Sequence, residues 1–228
     1  FMDRQALVCR NILEKPDITQ REMAKNMDIS LGTVNGLVKE CQAEGYIAEE
    51  ENGKEKHLIL LEKGKELLKP YKVDGALIIA AGFGSRFVPL TFETPKGLLE
   101  VFGERMIERQ IKQLHEVGIY DITIAVGYLK EKFEYLIDKF DVKLLYNPEY
   151  SCKNTLATVY RARKFLKGRN VYILSSDNWM RENMYHSYEC GAWYSAAHEE
   201  GETKEWCLTF NKKGRISDVN VGGKDAWF

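Results

Sequence analysis

The residues best suited to chemistry lie in the stretch 76–98, ALIIAAGFGSRFVPLTFETPKGL. A short apolar run, 77–81, breaks into Gly82-Phe83-Gly84, followed by Ser85, Arg86 and, after a Thr94-Pro95 step, Lys96. Glycines directly after a buried strand let the backbone turn tightly and approach a ligand with no Cβ in the way. The N–H groups so exposed hold phosphate oxygens, and Arg86 and Lys96 add two positive charges beside them. This combination suits phosphoryl or nucleotidyl transfer, where the protein supplies positioning and charge neutralisation rather than covalent chemistry. Two commoner phosphate loops are excluded. No Gly-Lys-Ser/Thr follows the glycines, and Phe87 stands where the dinucleotide fingerprint has its third glycine.

Asp177 is the candidate metal ligand. It closes a Ser175-Ser176-Asp177 turn after the apolar run 170–174, where an unpaired charge would be costly. Mg²⁺ takes oxygen ligands, one or two carboxylates plus substrate phosphates. The competing reading is an Asp that caps its own turn through Asn178.

These residues need a scaffold, and from position 73 strand patterns alternate with helical ones, the mark of an α/β fold with a mostly parallel sheet. Strands are expected at 77–81, 121–126, 142–146 and 170–174, with helices at 108–117, 130–140 and 155–165. Ligands of such sheets bind at the carboxyl ends of the strands. Gly82, Gly127 and Asp177 all follow strands and should converge there.

The segment before position 73 has another pattern. Helices are expected over 3–14, over 19–27 with Thr19 and Glu22 as a capping box, and over 31–44 with Ser30 as cap. Two strands, 46–48 and 57–60, flank a polar tip containing Asn52-Gly53, a strong hairpin signal. A last helix runs from 62 to about 71. Three helices and a two-stranded wing resemble a MarR-like winged helix-turn-helix. That resemblance places Ser30, Thr33, Asn35 and Lys39 on the face that enters a major groove, with Lys54 and Lys56 of the wing near phosphates. Against double-stranded DNA as partner stands the charge: residues 1–72 hold 12 Lys and Arg against 13 Asp and Glu, with Glu49-Glu50-Glu51 beside the wing. DNA affinity rests heavily on basic side chains, and a small packing or dimerisation module is the other reading.

Over all 228 residues the net charge is -1, with 44% hydrophobic and 29% charged residues, so no general attraction to polyanions is expected. No apolar run approaches the roughly 20 residues of a membrane span, and the charged N-terminus is unlike a signal peptide. Five scattered cysteines without metal-ligand spacing fit reduced thiols in a cytoplasm.

The whole string Ala-Ala-Gly-x-Gly-x-Arg, Pro-Leu-Thr and Thr-Pro-Lys resembles the signature of nucleotidyltransferases that join a nucleoside triphosphate to a sugar 1-phosphate or to phosphocholine. Further matches narrow the resemblance to bacterial CTP:phosphocholine cytidylyltransferases: 121–128, Leu129-Lys130-Glu131-Lys132-Phe133, Tyr146-Asn147-Pro148, Tyr150, Ser176-Asp177-Asn178 and Thr203-Lys204-Glu205-Trp206. Cys152-Lys153-Asn154-Thr155 departs from the Gln-Pro-x-Gly element usual in the sugar enzymes. The resemblance implies a Rossmann-like nucleotidyltransferase domain over 73–228, after a winged helix over 1–72. It implies CTP and phosphocholine as substrates and Mg²⁺ on Asp177. Ala80, Ala81, Gly82, Gly84, Ser85 and Gly127 would hold the nucleotide, with Asn154 and Thr155 on the base side. Arg86 would neutralise the departing pyrophosphate and Lys96 the reacting phosphates.

A quaternary ammonium cannot donate a hydrogen bond and is held by aromatic faces. The resemblance gives Trp206 that role, and Trp179 and Tyr188 are further candidates. It also implies another helix-and-strand region beyond position 228, carrying a second acidic ligand and part of the choline pocket. Asp218 and Asp225 would take that ligand's place only in a rearranged geometry. A sugar-1-phosphate enzyme using UTP or dTTP stays open, as does a regulator that senses CTP or CDP-choline. So does a homodimer.

Overall fold

Alternation within β3 (Gly75–Ala80) sets the architecture of the α/β region. Ala76, Ile78 and Ala80 face one core, while Leu77 faces another. A strand buried on both faces needs neighbours on both sides, and β3 pairs in parallel with β6 (Ile122–Val126) and with β8 (Val171–Ser175). β7 (Lys143–Tyr146) completes a four-stranded parallel sheet in the order β7-β6-β3-β8. Between β3 and β6 runs a short hairpin, β4 (Glu100–Val101) with β5 (Glu104–Arg105). The structure, a computed structural model, describes residues 2–52, 55–85, 88–212 and 214–228.

One face of the sheet is covered by α5 (Met106–Glu116) and α6 (Tyr135–Phe140), through Ile107, Ile111, Leu114 and Leu136. The other is covered by α7 (Thr155–Arg161) and α8 (Arg163–Leu166), where Ala162 and Phe165 meet Leu77 and Ala125. Two expected helices are interrupted. A 3₁₀ turn, Lys130–Phe133, precedes α6 because Leu129 takes the left-handed conformation. The expected 155–165 helix divides at Ala162, whose ψ of 1° leaves the helical range.

The winged helix follows the expected order: α1 (Arg4–Glu14), α2 (Gln20–Met27), α3 (Leu31–Ala43), β1 (Ile47–Asn52), β2 (Glu55–Leu60) and α4 (Glu62–Leu68). Thr19 and Glu22 form the capping box, and Ser30 caps α3. A separate core of Leu7, Ile12, Met23, Val34, Leu37 and Leu68 holds these elements together.

The segment after β8 returns to this module. Arg10 binds Glu189 at 3.1 Å, the Asp3 N–H donates to the Cys190 carbonyl at 2.9 Å, and His186 faces Glu14 at 2.9 Å. Tyr188 therefore packs on the winged-helix core. Residues 1–191 form one compact unit and 192–228 a second. The second is an antiparallel ribbon of β9 (His198–Phe210) and β10 (Ile216–Trp227), neither of which is among the four strands expected from the α/β pattern. Among the described residues no helix is long and apolar enough to cross a membrane.

Candidate active site

Four strand ends are stitched together by three bonds at the carboxyl edge of the sheet. The Ser176 N–H donates to the Ile79 carbonyl at 3.0 Å, joining β8 to β3. The Tyr128 N–H donates to the Ala81 carbonyl at 3.2 Å, joining β6 to β3, and the Asn147 N–H reaches the Val126 carbonyl at 2.8 Å. The end of β3 at Ala80 and Ala81 is thus tied to the chain at Gly127-Tyr128 and at Ser176-Asp177, along the edge where Gly127 and Asp177 were expected from their positions after strands.

The glycine loop is shaped by specific contacts. Gly84 has φ +69°, and a Cβ there would lie 3.0 Å from Thr91 Cγ2. Thr91 is fully buried, and its hydroxyl donates to the Gly84 carbonyl at 3.0 Å. Phe83, between the two glycines, meets the Tyr128 ring edge-on at 4.6 Å. Gly82 and Ser85 stay exposed. Gly127 has a packing reason as well: a Cβ would lie 2.6 Å from Tyr150 Cβ and 2.7 Å from the Ala81 carbonyl oxygen.

The chemistry centres on Lys96 and Asp177. The 3₁₀ turn Lys96–Leu98 lies directly against the end of β8, because a Cβ at Gly97 would come within 2.7 Å of Ser176 Cβ. This approach lets the Lys96 ammonium donate to one Asp177 carboxylate oxygen, while the Ser175 hydroxyl donates to the other. Burial alone would raise the Asp177 pKa; the bonds from Lys96 and Ser175 outweigh it and hold the carboxyl below the usual range. A partly buried carboxylate that already accepts a cation suits Mg²⁺, which needs one or two protein carboxylates when phosphates complete its shell. Among the described residues no cluster of three or more acidic, histidine or cysteine side chains forms a metal cage.

α5 supports this edge from below. Its Gln110 amide donates to the carbonyls of Ser175 and Asn178 at 2.8 and 2.7 Å. Arg109 binds the carbonyls of Met180 and Arg181, and Gln113 also reaches that of Met180. Gln110, Gln113, Thr91 and Gly97 were not among the sequence candidates. The available signal was polar residues at 110 and 113, inward positions of an otherwise apolar helix face.

Other candidates lie elsewhere. Arg86 and Lys54 fall outside the described residues. Asn154 caps α7 with its own side chain, and Asn154 and Thr155 are exposed on the loop after β7. Trp179 turns toward α5, under the Arg109 guanidinium at 4.7 Å and beside Phe102 at 5.2 Å. Tyr188 belongs to the winged-helix core, so the structure does not gather Trp179 and Tyr188 around Lys96 and Asp177. Trp206 is 65% exposed on the ribbon, opposite Val221. Asp218 and Asp225 are engaged within the ribbon, by the Val219 and Gly201 N–H groups. On α3, Asn35 and Lys39 are exposed, whereas Ser30 and Thr33 bond each other at the cap. Lys56 is held by Glu49 at 2.7 Å and Glu51 at 3.4 Å.

Known proteins are similar to both parts of the chain. A winged helix-turn-helix DNA-binding family model matches residues 10–48. A choline-phosphate cytidylyltransferase from Streptococcus pneumoniae is 38% identical over 65% of this chain and 64% of its own length. A 2-aminoethylphosphonate cytidylyltransferase from Lancefieldella rimae is 35% identical over 67% and 63%. The chain thus spans a little under two thirds of these relatives. A solved CTP:phosphocholine cytidylyltransferase from Streptococcus pneumoniae superposes with a TM-score of 0.62 and 37% identity, covering 68% of this chain and 67% of that one. The nucleotidyl transferase model matches residues 75–199, more than half of the sequence and all of the sheet just described, and the chain belongs to that family.

Proposed function

We propose that this chain is a cytidylyltransferase that joins the CMP unit of CTP to phosphocholine, releasing pyrophosphate and CDP-choline. The observation that carries this reading is the Lys96–Asp177 pair at the joined ends of β3 and β8, beside the glycine loop. In a loaded site each member has a stronger partner: the lysine an anionic phosphate, the carboxylate a divalent cation. The N–H groups of 82–85 would cradle the triphosphate. Lys96 would meet the α-phosphate and the attacking phosphate, where charge accumulates, and Arg86 the departing pyrophosphate. Asp177 would hold the cation, Mg²⁺ in this reading, which when bound offsets triphosphate charge. The attacking oxygen of phosphocholine is already anionic, so it forms its bond to the α-phosphorus without a general base while the bond to pyrophosphate breaks.

The choice of CTP and phosphocholine is supported by the named activities of the relatives and by the 203–206 match that gives Trp206 to the quaternary ammonium. Asn154 and Thr155 would lie on the base side. The 2-aminoethylphosphonate relative favours a second acceptor reading, with CTP unchanged. We further propose that residues 1–72 contact double-stranded DNA through Asn35 and Lys39, supported by the match over 10–48.

The test is pyrophosphate release with Mg²⁺ across four nucleoside triphosphates, each with phosphocholine, 2-aminoethylphosphonate and sugar 1-phosphates. Release with CTP and phosphocholine alone is expected. Release with the phosphonate instead moves the acceptor, and release with UTP or dTTP and a sugar phosphate overturns the substrate assignment. Tight CTP binding without release for any pair favours a sensor.

A further inference from the structure

We infer that Gln110 is the positioning residue for the metal-binding carboxylate: its buried amide fixes the turn that aims Asp177, an inference that rests on Asp177 holding the divalent cation. Gln110 sits on α5, one of the helices packed under the sheet, and is only 1% exposed. A primary amide has two N–H donors. Here its nitrogen serves the Ser175 carbonyl at 2.8 Å and the Asn178 carbonyl at 2.7 Å, the two ends of the four-residue turn whose third member is Asp177. The turn's own closing bond, from the Asn178 N–H to the Ser175 carbonyl, is long at 3.4 Å. The amide therefore cross-links a turn that holds itself weakly.

The remaining constraints act on one side. The Ser176 N–H is tied to β3, and Gly97 packs on the Ser176 side chain. Arg109 and Gln113 of α5 hold the chain further on, at the Met180 and Arg181 carbonyls, but the Gln110 amide is the bond from α5 that reaches the turn 175–178 itself, and the following chain to residue 197 holds no regular helix or strand. The site also carries a cost that packing alone would not select. The Gln110 carbonyl oxygen is buried and has no hydrogen-bond partner among the described residues. A leucine or methionine would fill the space with no orphaned acceptor. The glutamine is explained by its donors, and its role is that of the partners that orient ligating side chains in metal sites, whose loss typically weakens metal binding about 10- to 100-fold.

The test reads cation binding directly, as Mn²⁺ titrated in the presence of CTP and followed by water-proton relaxation, on the full chain. Gln110→Met keeps the length and removes both donors. It is expected to weaken Mn²⁺ binding about 10-fold or more, to melt cooperatively, and to leave CTP binding without divalent cation unchanged. Asp177→Asn is the reference and is expected to lose the bound Mn²⁺. Wild-type Mn²⁺ affinity in Gln110→Met, with loss in Asp177→Asn, overturns the positioning role and leaves the reading of Asp177 intact. No relaxation enhancement in the wild type, or full enhancement in Asp177→Asn, overturns that reading and this inference with it. Should Gln110→Met not melt cooperatively, Gln110→Glu serves in the same titration, because it keeps the size and sets an oxygen against two carbonyls. Weakened Mn²⁺ binding there supports the role, and wild-type affinity overturns it.

Discussion

Two surfaces of this molecule are candidates to meet phosphate, and they treat their lysines in opposite ways. On the winged helix five lysines are paired with nearby glutamates: Lys15 with Glu22, Lys56 with Glu49 and Glu51, Lys63 with Glu44, Lys65 with Glu62 and Lys69 with Glu66. Each exposed pair adds little stability because solvent screens it, yet together they spend positive potential that a DNA backbone would use. At the sheet edge Lys96 also has a carboxylate, but a partly buried one that a divalent cation would claim once nucleotide arrives. A lysine paired for solubility and a lysine paired in reserve look alike in a charge count. Burial, and the other partners each group could take, tell them apart.

The comparison predicts unequal effects. Lys96→Ala should cost about 3–4 kcal/mol in the transfer barrier, seen as a turnover loss of a hundredfold or more with an unchanged far-UV spectrum. Retention of a tenth of wild-type turnover would place Lys96 outside the reaction. Met23→Ala, in the fully buried winged-helix core, should destabilise that module by about 2–5 kcal/mol in denaturant unfolding while leaving CTP affinity unchanged. A parallel loss of CTP affinity would mean the two regions do not act separately.

Asp177 gives a pH signature. Its folded pKa lies below the unfolded value of about 3.9, so its contribution to stability is present above that value and is lost as pH falls through the folded pKa. Asp177→Asn should therefore flatten the fall in melting temperature below about pH 4, and an identical acid limb in both proteins would contradict the ion pair. Ser30→Ala should cost about 1 kcal/mol through the α3 cap. The smallest effects are on DNA: Lys39→Ala should reduce the salt slope of binding by about 1, whereas Lys56→Ala, already held by two glutamates, should change it less. A larger effect at Lys56 would reverse the comparison.

How much of this was legible beforehand depended on the range of the interaction. The runs 77–81 and 121–126 announced buried strands, and 170–174 a further strand, at the edge of the sheet, of which Tyr172 is buried. Gly82, Gly127 and the Ser175-Ser176-Asp177 turn after these runs announced the edge where Lys96 and Asp177 meet. The caps at Thr19 and Ser30 are local, and both formed. Gln110 was not legible because its partners, Ser175 and Asn178, lie 65 and 68 residues away. The ribbon was missed because β9, HEEGETKEWCLTF, breaks its apolar alternation with charges, and only the pairing with β10 makes it a strand. Tyr188 showed the limit of composition: its ring type suited a cation site, but its backbone lies in the segment that returns to α1.

The central claim is that Lys96 and Asp177 form part of a nucleoside triphosphate site, and the direct measurement is calorimetric titration of CTP with Mg²⁺ into the wild type and Lys96→Ala. The account predicts one CTP per chain for the wild type and binding at least tenfold weaker for the variant. Equal affinities, or no CTP binding by the wild type, would contradict it.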